Sequence, residues 1–407
     1  MKRRLPPRAT LEAQQAFKQA FGYRAAFTVS APAVVELLGH HAEAHEGLAL
    51  MAAIGRFVQM AASPRPDGKI ELACAGHSGT ECFWLSELKF NPAASWADPI
   101  KAVLMELRRH GVPFRGFNLA VHDGIPAQAG LGEVAAWQAA AALLVRKLYP
   151  FRLTDTGCLN RPPARDRYGQ VPPPAQPERL ALARMTHRAS RSLSGVRSSL
   201  VEHLTVFCGR AYHALTVDCR HHSVETLPLL GQAALVICPS GVQGEDSAAQ
   251  VQVRERAGHS AAQKLRARSL RAVNWAVLKE GRMHLNDLEF ACAYHQVGET
   301  ARVVFAERAL REGDFLQFGQ YLTQSHESAR DFLQISCPEV DWLVEQALAQ
   351  PGCLGARLAG PGFGGATVNL VTWNQYEAFV KKMAALYERY TGRRIQPLAC
   401  PVVDGVE

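Results

Sequence analysis

Three short stretches gather the side chains that could do chemistry. In the run His40, His41, Ala42, Glu43, Ala44, His45, three imidazoles and a carboxylate fall within six residues. Joined by Glu202 and His203, they offer the nitrogen and oxygen donors that hold zinc or another transition metal. The same residues equally suit a solvated loop. Gly130-Leu131-Gly132-Glu133-Val134 precedes an alanine-rich stretch. A helix starting there would turn free backbone N–H groups and a positive dipole end toward an anion. Gly360-Pro361-Gly362-Phe363-Gly364-Gly365 is a second glycine loop, which taken alone equally marks a tight hairpin.

These stretches need a scaffold, and the flanking sequence suggests one. Residues 11–22 have a helical pattern stopped by glycine. The run from Phe27 to Gly39 alternates as a strand entering the histidine-rich loop. Lys69 to Gly76 and Phe114 to Gly124 read as further strands around a helix near 97–110. A long helix follows the glycine loop at 130. Residues 161–179 carry six prolines and fit neither helix nor central strand, so a surface loop or insertion is expected there. Helices are expected over about 178–193 and through Val201, then a strand over His213 to Arg220. The second half reads as mainly helical to about 350, closing with strand, glycine loop and strand over Cys353 to Thr372. Strands and helices mix without a regular βαβ alternation, which favours an α+β fold.

The chain has 407 residues, 48% hydrophobic and 20% charged, the balance of a soluble globular protein of two or three domains. No apolar run reaches membrane-spanning length, and the opening MKRRLPPRATLEAQQ lacks the apolar core of a secretion signal. Ten cysteines without a CxxC pair read as reduced thiols of a cytoplasmic protein. The net charge of +8 could suggest a nucleic-acid partner, but residues 161–220 hold ten arginines against four acids, so most of the excess is local. No nucleic-acid-binding motif accompanies it, and neither nucleic acid nor membrane is expected as a partner.

Taken in order, these segments resemble the galactokinase family, a branch of the GHMP small-molecule kinases. Ala16 to Gly22 and Ala31 to Ile54 are similar to the galactokinase signature and the helix before it. Gly124 to Ala136 sits at the phosphate-loop motif and Gly195 to Arg220 at the catalytic-base segment, while Phe318 to Leu348 and Gly355 to Val371 resemble the C-terminal half. The resemblance implies a two-domain α+β GHMP kinase fold with the active-site cleft between the domains. Residues 1–220 would form the first, carrying the signature, phosphate loop, base segment and the insertion at 161–179; residues 221–407 would form the second. It also implies ATP and magnesium as cofactors and a sugar-like small molecule as substrate.

The resemblance also assigns roles, residue by residue, and this chain departs from many of them. The family's signature runs Gly-Arg-Val-Asn-Leu-Ile-Gly-Glu-His-Thr-Asp. Its arginine falls at Val34, and the residues holding sugar hydroxyls fall at His40, His41 and Glu43. The base position is Glu202, with Ser199 beside it on the substrate side, and the family's tyrosine falls at Val251. Gly130 and Leu131 keep the phosphate loop, but its serines become Gly132, Glu133 and Val134. The magnesium positions are Val134 and Ser190, neither of them acidic. Trp96 matches an adenine-pocket tryptophan, and Gly364 and Gly365 keep the third motif.

A carboxylate at position 133 opposes phosphate, since two like charges about 4 Å apart at an effective dielectric near 20 cost about 4 kcal/mol. A glutamate base is displaced by one methylene, and a misplacement of about 1 Å costs on the order of a hundredfold in rate. Two readings follow. In one, the chain is a binding, sensor or regulatory homologue with little galactokinase turnover, open to a protein partner. In the other, it is an ATP-dependent sugar kinase using Glu202 as base. Arg188, Arg191 and Arg197 suggest an anionic ligand if they face the cleft, and solvent-facing helix residues if they do not.

Overall fold

The computed structural model describes residues 9–407 apart from 78, 128, 195–197, 230–232 and 245–246. Helix α1 (Ala9–Phe21) lies on a sheet whose long members are β1 (Phe27–Leu38) and β2 (Leu48–Pro64), paired antiparallel. Pro32 interrupts β1, and the register shifts between Pro32 and Ala33, as expected where a residue has no N–H for the ladder. Next come β3 (Lys69–Cys74), β4 (Thr80–Trp84), α2 (Asp98–Arg109) and β5 (Phe117–Asp123). Helix α3 (Glu133–Leu148) is buried along nearly its whole length, and its run Ala139–Ala142 lets neighbouring elements approach closely.

A small hairpin, β6 (Leu153–Thr154) and β7 (Gly157–Cys158), leads into the proline-rich segment, which is without helix or strand until α4 (Gln176–Ser190). Buried Arg146 pins that segment: its Nε and Nη2 each lie 3.0 Å from a Glu178 carboxylate oxygen, and its Nη1 donates to the Pro172 carbonyl. After α5 (Leu200–Cys208), strands β8 (His213–Asp218) and β9 (Ser223–Pro228) complete the first sheet, in the order β4-β3-β5-β2-β8-β9 with β1 on β2. A boundary at residue 220 falls inside the β8/β9 hairpin, and the first sheet ends only at Pro228.

The second layer starts with β10 (Ala233–Gln243) and continues through α6 (Ser247–Lys264), α7 (Trp275–Glu280), α8 (Asp287–Glu312), α9 (Phe315–Ser328) and α10 (Pro338–Leu348). Strands β11 (Cys353–Ala359) and β12 (Gly364–Thr372), helix α11 (Tyr376–Thr391) and β13 (Leu398–Cys400) close it, with sheet order β11-β12-β10-β13. Strands β9 and β10 lie where the sequence suggests helix. The apolar run Ala233–Cys238 is too short and too uniformly buried for periodicity to separate strand from helix.

One apolar cluster crosses both layers, joining Val35, Leu50 and Leu204 to Ile237, Phe318 and Val368. The tail returns to the first sheet: Ser30 and Glu407 exchange two backbone hydrogen bonds, and Val402 bridges Ile54. All ten cysteines are free. Among the described residues no helix is long and apolar enough to cross a membrane.

Candidate functional site

The signature segment turns sharply after β1. Gly39 has φ 95°, and a Cβ there would stand 2.4 Å from the Leu48 carbonyl oxygen, so only glycine fits. His41, at φ 57°, starts a short 3-10 turn over Ala42–His45. His40 is thereby carried under the turn, against the second layer. Its Nδ1 lies 2.9 Å from Glu36 Oε1 and 2.7 Å from Arg357 Nη2, and its carbonyl accepts from Gln296 Nε2. Arg357, fully buried on β11, also donates to the Leu37 carbonyl and reaches Glu36 at 3.3 Å. Glu299 answers Arg302 at 2.8 Å, and the Arg302, His295 and Arg357 charges hold its carboxyl far below the usual range against the penalty of burial. His41 Nε2 lies 3.2 Å from the Pro361 carbonyl, so the signature touches the second glycine loop directly.

The start of α5 forms the facing wall. Ser199 and Glu202 make a reciprocal capping box, in which the Ser199 Oγ accepts from the Glu202 amide and Glu202 Oε2 accepts from the Ser199 amide at 3.0 Å. Ser198 Oγ donates to the same oxygen. Burial pushes the Glu202 carboxyl up to about 7, with the Glu43 and Glu36 charges adding to it. Glu43 Oε1 accepts from the Leu200 amide at 3.2 Å and the Val201 amide also faces this carboxyl, while Oε2 is shielded from solvent without a geometric hydrogen bond among the described residues. Burial likewise raises Glu43 and lowers His187, whose imidazole falls to about 4 beside it.

Between these walls lies a cleft of about 740 Å³. It brings together Val34, His40, His41, Glu43, Ser199 and Glu202, six of the residues singled out by sequence, with Gly130, Ser190, Arg191 and Val251 at its other sides. Sequence reasoning missed Glu36, His187 and Glu255, which also line it. A polar residue at position 36 inside an otherwise apolar strand run was the signal available for the first.

The phosphate loop is closed on itself. Gly132 caps α3 at φ 67°, and a Cβ there would stand 2.4 Å from Val34 Cγ2 and 3.8 Å from the Glu202 Cβ. A Cβ on Gly130 would meet the Gly360 Cα at the same 2.4 Å, so the two glycine loops abut. The Val34 amide donates to the Leu131 carbonyl. Glu133 is engaged with Asp123, at the end of β5. Burial raises its carboxyl to about 7, and the Asp123 charge and a hydrogen bond from the protonated acid add to the rise. Asp123 accepts in turn from Trp137 Nε1 at 2.6 Å and from the Ile125 amide.

Other expected site residues stand elsewhere. His45 is buried under α6, where Gly258 makes room for its ring and His259 lies 5.0 Å away. His203 is a satisfied core residue between Thr186 Oγ1 and Ser198 Oγ. Among the described residues no group of three or more His, Cys, Asp or Glu side chains is placed to hold a metal ion. Trp96 stacks on His77, away from the cleft lining. Gly364 and Gly365 open β12, with Gly365 facing Ala359 and Ala129, so they pack behind the phosphate loop. Of the three arginines, Arg191 lines the cleft, Arg188 bonds His110, and Arg197 lies outside the described residues.

Residues 15–64 match the family model described as the galactokinase galactose-binding signature, and residues 306–387 match that described as GHMP kinases C terminal. The chain is 33% identical to the galactokinase of Chloroflexus aurantiacus, over 96% of this chain and 95% of that protein. It is 32% identical to the galactokinase of Bos taurus, over 94% and 92%. The chain belongs to the galactokinase family. Its fold is that of the GHMP kinases: Lactococcus lactis galactokinase, solved with galactose, matches with a TM-score of 0.84 at 23% identity, covering 98% of this chain and 99% of that one. The mevalonate kinase of Methanococcus jannaschii matches at 0.64 and 16% identity, covering 93% and 98%.

Galactokinase-family membership implies ATP with magnesium, and the residues present fit that pair poorly. Val134 offers no ligand, and the Ser190 hydroxyl is spent on the His187 carbonyl. The one acid of the phosphate loop, Glu133, is turned to Asp123, and Val34 fills the space above Gly132. No phosphoryl-transfer step is therefore derived for this member of the galactokinase family.

Proposed function

We propose that this galactokinase-family protein binds a sugar-like small molecule in its cleft without ATP-driven phosphoryl transfer, and acts as a sensor or regulatory homologue. The contact of Val34 with Gly132 carries the reading. It puts an aliphatic group where phosphoryl transfer needs positive charge, metal and free backbone amides. The polar wall of Glu36, His40, His41 and Glu43 supports retained recognition of a polyhydroxylated ligand. The test is isothermal calorimetry with hexoses beside an ADP-release assay with ATP and magnesium or manganese. Sugar binding without ADP release is expected; ordinary enzymatic turnover on any sugar overturns the reading.

One observation favours an active kinase instead. Glu202, held near neutrality, has the proton affinity suited to a general base. On that reading Glu202→Gln abolishes ADP release that the unaltered chain displays, whereas on the first reading neither protein releases ADP.

A further inference from the structure

Among the described residues, the hydrogen bonds to two carboxylates at the head of the cleft come from neutral donors. Glu43 Oε1 takes the Leu200 amide, and Glu202 Oε2 takes the adjacent Ser199 amide and the Ser198 hydroxyl. Because those amides are consecutive, the fold brings both acids to the first turn of α5. Among the described residues, no lysine or arginine side chain bonds either of them. Arg357 is fully buried and committed to Glu36, His40 and the Leu37 carbonyl. Position 34, which borders both the cleft and Glu202, is aliphatic.

Two polar atoms in the same wall are shielded from solvent and make no geometric hydrogen bond among the described residues. One is Glu43 Oε2. The other is Nε2 of His40, a residue only 2% exposed that lines the cleft. Nδ1 of His40 is already engaged by Glu36 Oε1 and Arg357 Nη2, so Nε2 is the ring atom left for a ligand. The wall thus offers two carboxylates and one ring nitrogen. A buried acceptor left unmet is unfavourable, and an ionised one is best met by a charged donor. An ammonium has three N–H groups, enough to reach both carboxylates and leave one for a water or ring oxygen.

We propose that the ligand of this cleft is a polyhydroxylated primary amine, an amino sugar, whose ammonium bridges Glu43 and Glu202 while a hydroxyl hydrogen-bonds His40 Nε2. The inference rests on the sugar-binding reading and deepens it. At this end of the cleft the carboxylate of a sugar acid would face two others, with the Arg191 charge on another side of the lining.

The full-length protein is titrated by calorimetry at neutral pH with D-galactosamine, D-galactose, D-galacturonate and magnesium chloride alone. Galactosamine is expected to bind at least tenfold more tightly than galactose, and galacturonate most weakly. Glu43→Gln and Glu202→Gln, which preserve shape and the acceptor role toward α5, should each reduce that preference about tenfold, read as the ratio of the two affinities on the same variant. Comparison of the ligands on the unaltered chain stands even if a variant fails to fold. Equal or tighter binding of galactose overturns the amine while sugar binding stands. Magnesium alone binding as tightly, and displaced by galactosamine, overturns it in favour of a metal. Silence toward all three sugars overturns the sugar-binding reading itself, and the amine with it.

Discussion

Val34 and Gly132 are locked together: the valine Cγ2 stands 2.4 Å from where any β-carbon at position 132 would be. The strand carrying the signature and the helix carrying the phosphate loop therefore constrain each other's sequence. Restoring the serine typical of the family, Gly132→Ser, should destabilise the chain by about 3 kcal/mol, through overpacking and the left-handed backbone at φ 67°. Adding Val34→Ala should recover the overpacking share but not the backbone share. Urea denaturation of the single and double variants checks this, and equal stability of Gly132→Ser and the parent would refute the contact.

Stability should fall as pH rises through neutrality. Glu133 and Glu202 both reach about 7 in the folded chain against an ordinary glutamate value of 4.5. Between these values the folded state holds the more protons, so folding is favoured at the acid end and weakened above it. The loss is on the order of 2–3 kcal/mol per group by pH 8. Glu202→Gln and Glu133→Gln should each flatten the decline of melting temperature between pH 5 and 8. A parallel decline in parent and both variants would assign it to other groups.

Arg146 holds the proline-rich segment from inside. Arg146→Met leaves the Glu178 carboxylate buried without its partner and frees the Pro172 carbonyl, at a cost of about 3–5 kcal/mol. Limited proteolysis should then cut within 161–175, where the parent resists. The double variant Arg146→Met with Glu178→Leu should regain much of the stability, because no buried charge is left unmet.

Arg357 connects the second layer to the signature. Arg357→Met removes the donors to Leu37, Glu36 and His40 and should lower stability by about 2–4 kcal/mol. Calorimetry should also show weaker sugar binding, because His40 loses the partner that fixes its ring.

Local pattern carried much of the scaffold. The glycine stop after Phe21 and the alanine-rich helix after Gly132 each act within a few residues and stand where sequence places them. The loop expected over 161–179 instead gives way to α4 at Gln176, because Pro177 sits in the first turn, where proline is tolerated. The strand at Ala233–Gln243 did not show, because inner strands buried on both faces lose the alternation that distinguishes them. In the site, His40, Glu43 and Glu202 were legible from the resemblance, and the cleft does unite them. Their charges were not legible. Arg357 lies far along the chain from Glu36, and Asp123 meets Glu133 only once β5 and α3 are packed. His45 misled, because proximity in sequence put it with His40 and His41 while the 3-10 turn sends it under α6.

The return of the tail to β1 has a consequence for how the chain reaches this state. Ser30 and the Glu407 that closes its backbone hydrogen bonds lie very far apart along the chain. This part of β1 therefore lacks its second partner until a distant segment of the chain has folded back onto it. Such non-local closure slows folding and leaves unpaired edges open to other chains. Deleting residues 398–407 should then show first as aggregation during expression, before any defect at the cleft can be measured.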